Sequence, residues 1–287
     1  MNGLITAIYA SFFLALGQGA FKKSYKVLES SVGFLFEMLF GLLLWIPLSL
    51  YFGVNFQNIS LVLVYAIISA VLSEALYFFA LSKGQLSITA VLLSSYPIYT
   101  IIFSFFLNKE RLTPQQLLFI SITIIGTLMT YLPSKLSFVE LKKSGAIFWP
   151  VIAAIGIGLS DTLSKGIINK TGDFSFLFTL ALMQIPVALI YLKLERQNIL
   201  TIIPKIVKEG REFKNVIIGA VLCTIGTGLL WVSFSQTLAS IASPITATSG
   251  AIVVLLSVIF LDEKINIRTL TGLLLVFLGI IGISTLI

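Results

Sequence analysis

The sequence predicts an all-α integral membrane protein: ten transmembrane helices forming two inverted-topology five-helix repeats around a central cavity. Three observations carry this. Hydrophobic residues fill 57% of the 287 positions and charged residues only 11%, well under the ~25% usual for a soluble domain, and mean hydropathy is +1.05. The apolar residues fall into runs of about 20, the length that crosses a bilayer as a helix. The pattern of runs in the first half recurs in the second. In hydrocarbon each backbone amide must bond within its own segment, so runs of this kind become helices.

In chain order the expected spans are Gly3–Ala20, Ser31–Phe52, Ser60–Leu81, Leu86–Leu107, Pro114–Leu132, Ile147–Ile168, Phe174–Leu194, Val216–Thr237, Pro244–Leu261 and Arg268–Ile287. Leu4–Ala20 lacks a charged start and a small-residue cleavage site, so it reads as a retained span rather than a signal peptide. Turn residues separate the runs: Gly53, Gly84, Asn108-Lys109-Glu110, Pro133-Ser134 and Thr171-Gly172-Asp173. The one long connection, Glu195–Asn215, carries Ile199, Ile202, Ile203, Ile206 and Val207 at helical spacing among Lys205, Lys208, Arg211 and Lys214. That pattern fits a short helix on an anionic membrane surface, and equally a solvated basic loop. The single cysteine, Cys223, excludes an intrachain disulfide. The net charge of +7 sits in loops between spans, where it sets topology and does not argue for nucleic acid.

The repeat is visible residue by residue. A shift of 153 places Leu76 on Leu229, Ser87 on Ser240, Glu110 on Glu263 and Gly126 on Gly279; upstream, a shift of 143 places Leu16 on Leu159 and Lys22 on Lys165. Residues 1–142 and 143–287 are therefore the expected repeats. Five spans each is an odd number, so the second half enters the membrane from the opposite side.

The stretch Leu76–Leu132, with its turn Asn108–Leu112 and Gly126, and its counterpart Leu261–Ile265 followed by Gly272 and Gly279, resemble the repeat ends of the drug/metabolite transporter superfamily, EamA branch. The resemblance covers essentially the whole chain. It implies a basket of ten helices, a central cavity between the halves, secondary transport of small metabolites, and both termini inside the cell. Such proteins often carry a basic residue in the second span, where this chain has Glu37.

Three acids lie at bilayer depth: Glu37 in span 2, Glu74 in span 3 and Asp161 in span 6. Ionisable groups there are costly and face protein or water. At 1.5 Å rise per residue, Glu37 and Glu74 fall roughly 10 Å below the same membrane face, so they are expected to be neighbours if their helices pack together. Two adjacent carboxyl groups share protons, as a proton carrier must. Gly33 and Gly41 flank Glu37 as a packing stripe, and Tyr77 shares the face of Glu74. The alternative is structural, with Glu74 neutralised by Lys83 and Glu37 by Lys22 or Lys23. Asp161 and Lys165 are one turn apart on a face extended by Ala154 and Gly158; the plainer reading is an intrahelical ion pair, the sharper one that Lys165 binds a substrate carboxylate. Glu110 and Glu263 read as helix-end and interface anchors.

Spans 4 and 9 offer a polar lining at matching positions: Ser94, Ser95, Tyr96 and Tyr99 around Pro97, and Ser243, Pro244, Thr246, Thr248, Ser249 and Gly250. Polar, interrupted helices in matching positions point to a central site, although hydroxyls also cement helices. Gln18, Gln184, Trp231 and Gln236 are further candidates, and Phe103, Phe105 and Phe106 are expected to face lipid. There is no metal-ligand cluster, nucleotide loop or nucleophile arrangement, and no histidine, so neither an enzyme nor a cofactor is expected.

Of the 19 lysines and arginines, all but Lys109, Arg111, Lys165 and Lys170 fall on the connections after odd-numbered spans. The positive-inside rule then puts both termini outside the cell, against the family expectation. The chain thus reads as a cell-membrane secondary active transporter of a small polar metabolite, an amino acid or organic amine, working by alternating access with a proton as candidate coupling ion. Its partners are the lipid bilayer and a small-molecule substrate. A multidrug or quaternary-amine exporter is the alternative within transport; a non-transporting subunit that recruits a partner through its basic loop is the alternative outside it.

Overall fold

The computed structural model describes residues 2–24, 29–57, 59–83, 92–131, 147–198, 202, 210–261 and 266–286. Among them ten helical runs follow one another: α1 (Gly3–Ser24), α2 (Ser30–Phe52), α3, α4 (Tyr96–Leu107), α5 (Pro114–Tyr131), α6 (Phe148–Thr171), α7 (Asp173–Leu194), α8 (Gly210–Gln236), α9 and α10 (Ile267–Ser284). Helix α3 runs through Ile59–Ser69, a π-helical turn at Ala70–Ala75 and Leu76–Lys83. Helix α9 is broken, Ala239–Ala247 and Ser249–Leu261, at Thr248. Seven of the helices are long and apolar enough to cross a membrane, and three shorter apolar ones complete the ten. The chain is an all-α membrane protein.

The predicted spans match these helices with shifted ends. Helix α8 starts at Gly210 rather than Val216, so Arg211 and Lys214 belong to a helix and not to the preceding connection. Both are good helix formers, and a polar first turn can leave the bilayer without ending the helix. Of the expected surface helix, Ile202 packs buried against Val32 and Leu192. Ile199, Ile203, Ile206, Val207, Lys205 and Lys208 lie outside the described residues. So do Gly84, Ser87, Pro133-Ser134 and Glu263.

Local sequence sets the helix starts. Thr113 and Gln116 form a reciprocal cap at the head of α5, with Thr113 N–H donating to Gln116 Oε1 at 3.0 Å and Gln116 N–H to Thr113 Oγ1 at 3.2 Å. At the position 153 residues on, Asn266 caps α10, accepting from Thr269 N–H at 2.8 Å. Gly172, at φ 90°, makes the tight turn from α6 into α7.

Helix packing repeats with the sequence. Helix α1 lies on α8 as α6 lies on α3; α4 lies on α6 as α9 lies on α1; α8 lies on α2 as α3 lies on α7. The pairs α2–α7, α5–α10 and α4–α9 map onto themselves when helix n is exchanged for helix n+5. The α5–α10 crossing is tight enough to need glycine: a Cβ on Gly126 would stand 2.7 Å from the Gly272 carbonyl oxygen, and one on Gly272 2.8 Å from that of Gly126. Lipid offers no hydrophobic drive for helix association, so such close backbone contact supplies the packing energy.

One face of the bundle, which carries both chain ends, is closed by polar bonds between helix ends. Glu110, beyond α4, accepts the Ala239 and Ser240 amides at the head of α9 at 3.1 and 3.0 Å, and the Ser240 hydroxyl as well. The expected helix-end anchor thus serves a different helix from its own. The Lys165 ammonium donates to the Phe234 carbonyl, Asn108 Nδ2 to the Thr162 carbonyl at 2.9 Å, Ser235 Oγ to Asp173 at 3.0 Å, and Thr6 Oγ1 to Gln236 Oε1 at 3.3 Å.

Two stability measurements follow. Gly126→Ala is expected to cost about 1–3 kcal/mol by overpacking the α5–α10 crossing, whereas Gly19→Ala, with nothing within 4 Å of its Cβ, leaves the melting temperature unchanged or slightly raised; thermal unfolding of the detergent-purified protein compares them. Glu110→Ala orphans the α9 amides and is expected to lose about 2 kcal/mol or more in the same assay.

Candidate functional site

Away from the closed face, a cavity of about 210 Å³ opens among α1, α2, α3, α4, α6, α8 and α9. The pseudo-symmetric packing fails here. Helix α6 packs against α7 and α8, whereas among the described residues α1 makes no comparable packing on α2 and α3. The cavity occupies the space that those contacts would fill.

Both buried acids of spans 2 and 3 reach it. Glu37, 3% exposed, and Glu74, 7% exposed, border the cavity, and their carboxyl groups are close enough to interact electrostatically. Glu37 projects from α2 where that helix packs on α8: its carbonyl accepts from Thr224 Oγ1 at 3.0 Å, and its carboxyl group receives a long 3.5 Å contact from Thr227 Oγ1. Glu74 lies in the π turn of α3, where Leu76 N–H bonds back to Val71 O. Such a turn inserts one residue and re-aims the side chains after it, a feature concentrated at functional sites. Among the described residues no hydrogen bond reaches the Glu74 carboxyl group. The side chains of Lys22, Lys23 and Lys83, expected as structural counter-ions, lie outside the described set.

Aromatic rings form much of the remaining wall: Tyr77 and Phe78 from α3, Phe21 from α1, Tyr96 from α4 and Trp231 from α8. Trp231 is fully buried, and its indole N–H has no hydrogen-bond partner among the described residues. The Tyr96 hydroxyl donates to the Ser243 carbonyl at 3.0 Å and ties α4 to α9. Gln18 and Ser249 add polar groups on α1 and α9.

Nine sequence candidates therefore share one cavity: Glu37, Glu74, Gln18, Tyr77, Ser94, Tyr96, Trp231, Thr246 and Ser249. Ser95, Asp161 and Lys165 are among those that do not border it. The Ser95 hydroxyl bonds the Leu92 carbonyl at 2.6 Å. Asp161 is fully buried and faces Ser243 Oγ at 2.6 Å and Thr100 Oγ1 at 3.4 Å. Lys165 turns to the Phe234 carbonyl, so the expected Asp161–Lys165 ion pair is not formed. Helical spacing shows which residues share a face; partners on neighbouring helices decide where each side chain goes. The Ala154–Gly158 stripe does pack as expected, a Cβ on Gly158 falling 2.7 Å from Thr100 N. Phe105 and Phe106 are exposed and Phe103 half-buried; the Arg111 guanidinium covers the Phe105 ring at 4.4 Å. Gln184 is buried beside Gly41, away from the cavity, and Gln236 is spent on Thr6.

Sequence reasoning missed Ser73, Cys223 and Thr227 as wall residues. Their signal was present in part: Cys223, Thr227 and Trp231 recur every fourth residue along one stripe of α8. Cys223 lies near both acids.

Comparisons with known proteins agree with this architecture. The family model described as the EamA-like transporter family matches residues 1–132 and 144–285. An uncharacterised protein of Methanocaldococcus jannaschii is 31% identical over 139 residues, 48% of this chain and 96% of that protein. An uncharacterised transporter of Clostridium kluyveri is 23% identical over 226 residues, 74% of this chain and 68% of its own length. A crystal structure of a protein 14% identical superimposes with a TM-score of 0.73 over 99% of this chain and 98% of its own, which shows the shared fold. With nearly its whole length matched by the family model, the chain belongs to the EamA-like transporter family, part of the drug/metabolite transporter superfamily.

Proposed function

We propose that the chain is a secondary active transporter of a small cationic or zwitterionic metabolite, an amino acid or organic amine, carried through the cavity by alternating access. One observation carries the reading. Among the described residues the cavity wall holds two carboxyl groups, Glu37 and Glu74, and neither lysine nor arginine. Such a wall recognises an ammonium group, which the faces of Tyr77, Tyr96 and Trp231 attract as well. Glu74, with no hydrogen bond of its own, serves as the primary site for the substrate's charge or for a proton in exchange. Glu37, held by Thr227, is the secondary one.

Two halves rocking about this site, residues 1–142 and 143–287, would close the open side and part the bonds made by Glu110 and Lys165. The residues that correspond to these in sequence are Glu263 and Lys22. The aromatic wall also favours a second reading, export of quaternary amines or drugs. A volume of about 210 Å³ is below the ~300–1,000 Å³ of drug-sized sites and favours the smaller cargo.

Counterflow in proteoliposomes, with labelled amino acids, polyamines and quaternary amines and with or without a pH gradient, tests this reading. Exchange of one amine class is expected. Glu74→Gln should lower it at least about tenfold, the value of one charge-assisted hydrogen bond, and Glu37→Gln less. Full exchange by folded Glu74→Gln protein would remove Glu74 from the mechanism, and silence across the panel would favour the partner-recruiting alternative. The lysine and arginine bias argues for both termini outside the cell, against the family expectation; on that reading a reporter fused after Ile287 is active only on that side of the cell membrane.

A further inference from the structure

Among the described residues, Asp161 is the one buried acid that neither borders the cavity nor finds a cation. Its Oδ2 accepts from Ser243 Oγ at 2.6 Å and Thr100 Oγ1 at 3.4 Å, while Oδ1, in a residue with no exposure, has no hydrogen-bond partner among the described residues. A bare carboxylate oxygen at this depth is costly unless something positive meets it. Three helices meet there: α6 brings Asp161, α4 brings Thr100, and the first half of α9 brings Ser243, five residues before the break at Thr248. The site lies one helical turn beyond the cavity wall, since Tyr96 and Ile157, four residues before Thr100 and Asp161, both line the cavity.

We propose that Asp161, Thr100 and Ser243 bind one monovalent coupling cation, H⁺ or Na⁺, at a site separate from the substrate cavity. The proposal rests on the reading of the chain as a gradient-driven transporter. One carboxylate and two neutral hydroxyls match a single positive charge and leave a divalent ion half uncompensated. The surroundings leave the charge unanswered. Lys165, on the same helix, is turned to Phe234 O and interacts with Glu110; Ser160 is engaged with Ser69 of α3, and Ser104 of α4 with Thr162. The titratable group that Asp161 acts on is Glu74, through space. A cation at Asp161 therefore alters the field at the cavity acid without entering the cavity. It also sits beside the Tyr96–Ser243 bond that joins α4 to α9.

The test uses the purified full chain in nanodiscs without substrate, so its outcome is independent of the cavity reading. If the ion is Na⁺, replacing N-methylglucamine by sodium at constant ionic strength raises the melting temperature, and potassium does not. If the ion is H⁺, sodium has no effect, and an infrared carboxyl C=O band titrates with pH. In either case Asp161→Asn abolishes the response, Ser243→Ala moves its midpoint by about tenfold in sodium or about one pH unit, and Glu74→Gln retains it. A response that survives Asp161→Asn, one lost in Glu74→Gln instead, or no response to either ion overturns the proposal. Should Asp161→Asn fail to fold, an unshifted midpoint in Ser243→Ala overturns it alone.

Discussion

A carboxyl group surrounded by hydrocarbon must be given hydrogen-bond donors, a cation, a proton or access to water. Among the described residues four such groups are buried, and the bundle is arranged around how each is met. Glu110 takes two amides and a hydroxyl at the head of α9, and in doing so closes one face. Asp161 receives two hydroxyls on one oxygen and none on the other. Glu37 has a single long contact from Thr227, and Glu74 has none among the described residues. Satisfaction declines steadily from the closed face toward the cavity. The least satisfied groups stand where an external charge can reach them.

Much of this was readable in the sequence because depth in a membrane is a matter of counting. A rise of 1.5 Å per residue put Glu37 and Glu74 at one level, and Gly33 and Gly41 turned Glu37 toward protein; both acids border one cavity. Partners across helices were not readable. Asp161 and Lys165 are spaced as an ion pair, yet Ser243 and Phe234, some 80 and 70 residues away along the chain, take them in opposite directions. The π turn was hidden for another reason. An apolar helix has almost no amphipathic phase, so one extra residue leaves no mark in the pattern. Thr227 and Cys223 were visible as a stripe with Trp231 but carry no charge to draw attention to them.

The packing is nearly two-fold symmetric, and the departure from symmetry is informative. Helix α6 is seated against α7 and α8, while α1, its counterpart, leaves a cavity toward α2 and α3. A perfectly symmetric bundle would present the same opening on both faces, or on neither. Two similar halves in unlike arrangements allow one side to be open while the other is sealed.

The π turn of α3 has a counterpart far along the chain. Where α6 crosses it stands Gly156, and a methyl group at that position would press on the Leu72 carbonyl oxygen at 3.2 Å and the Leu76 side chain at 3.3 Å. The widened turn fills the volume that a side chain at 156 would occupy. Glycine at 156 and the widened turn, some 80 positions apart, are thus sterically coupled: a larger side chain at 156 would push on the segment that carries Glu74.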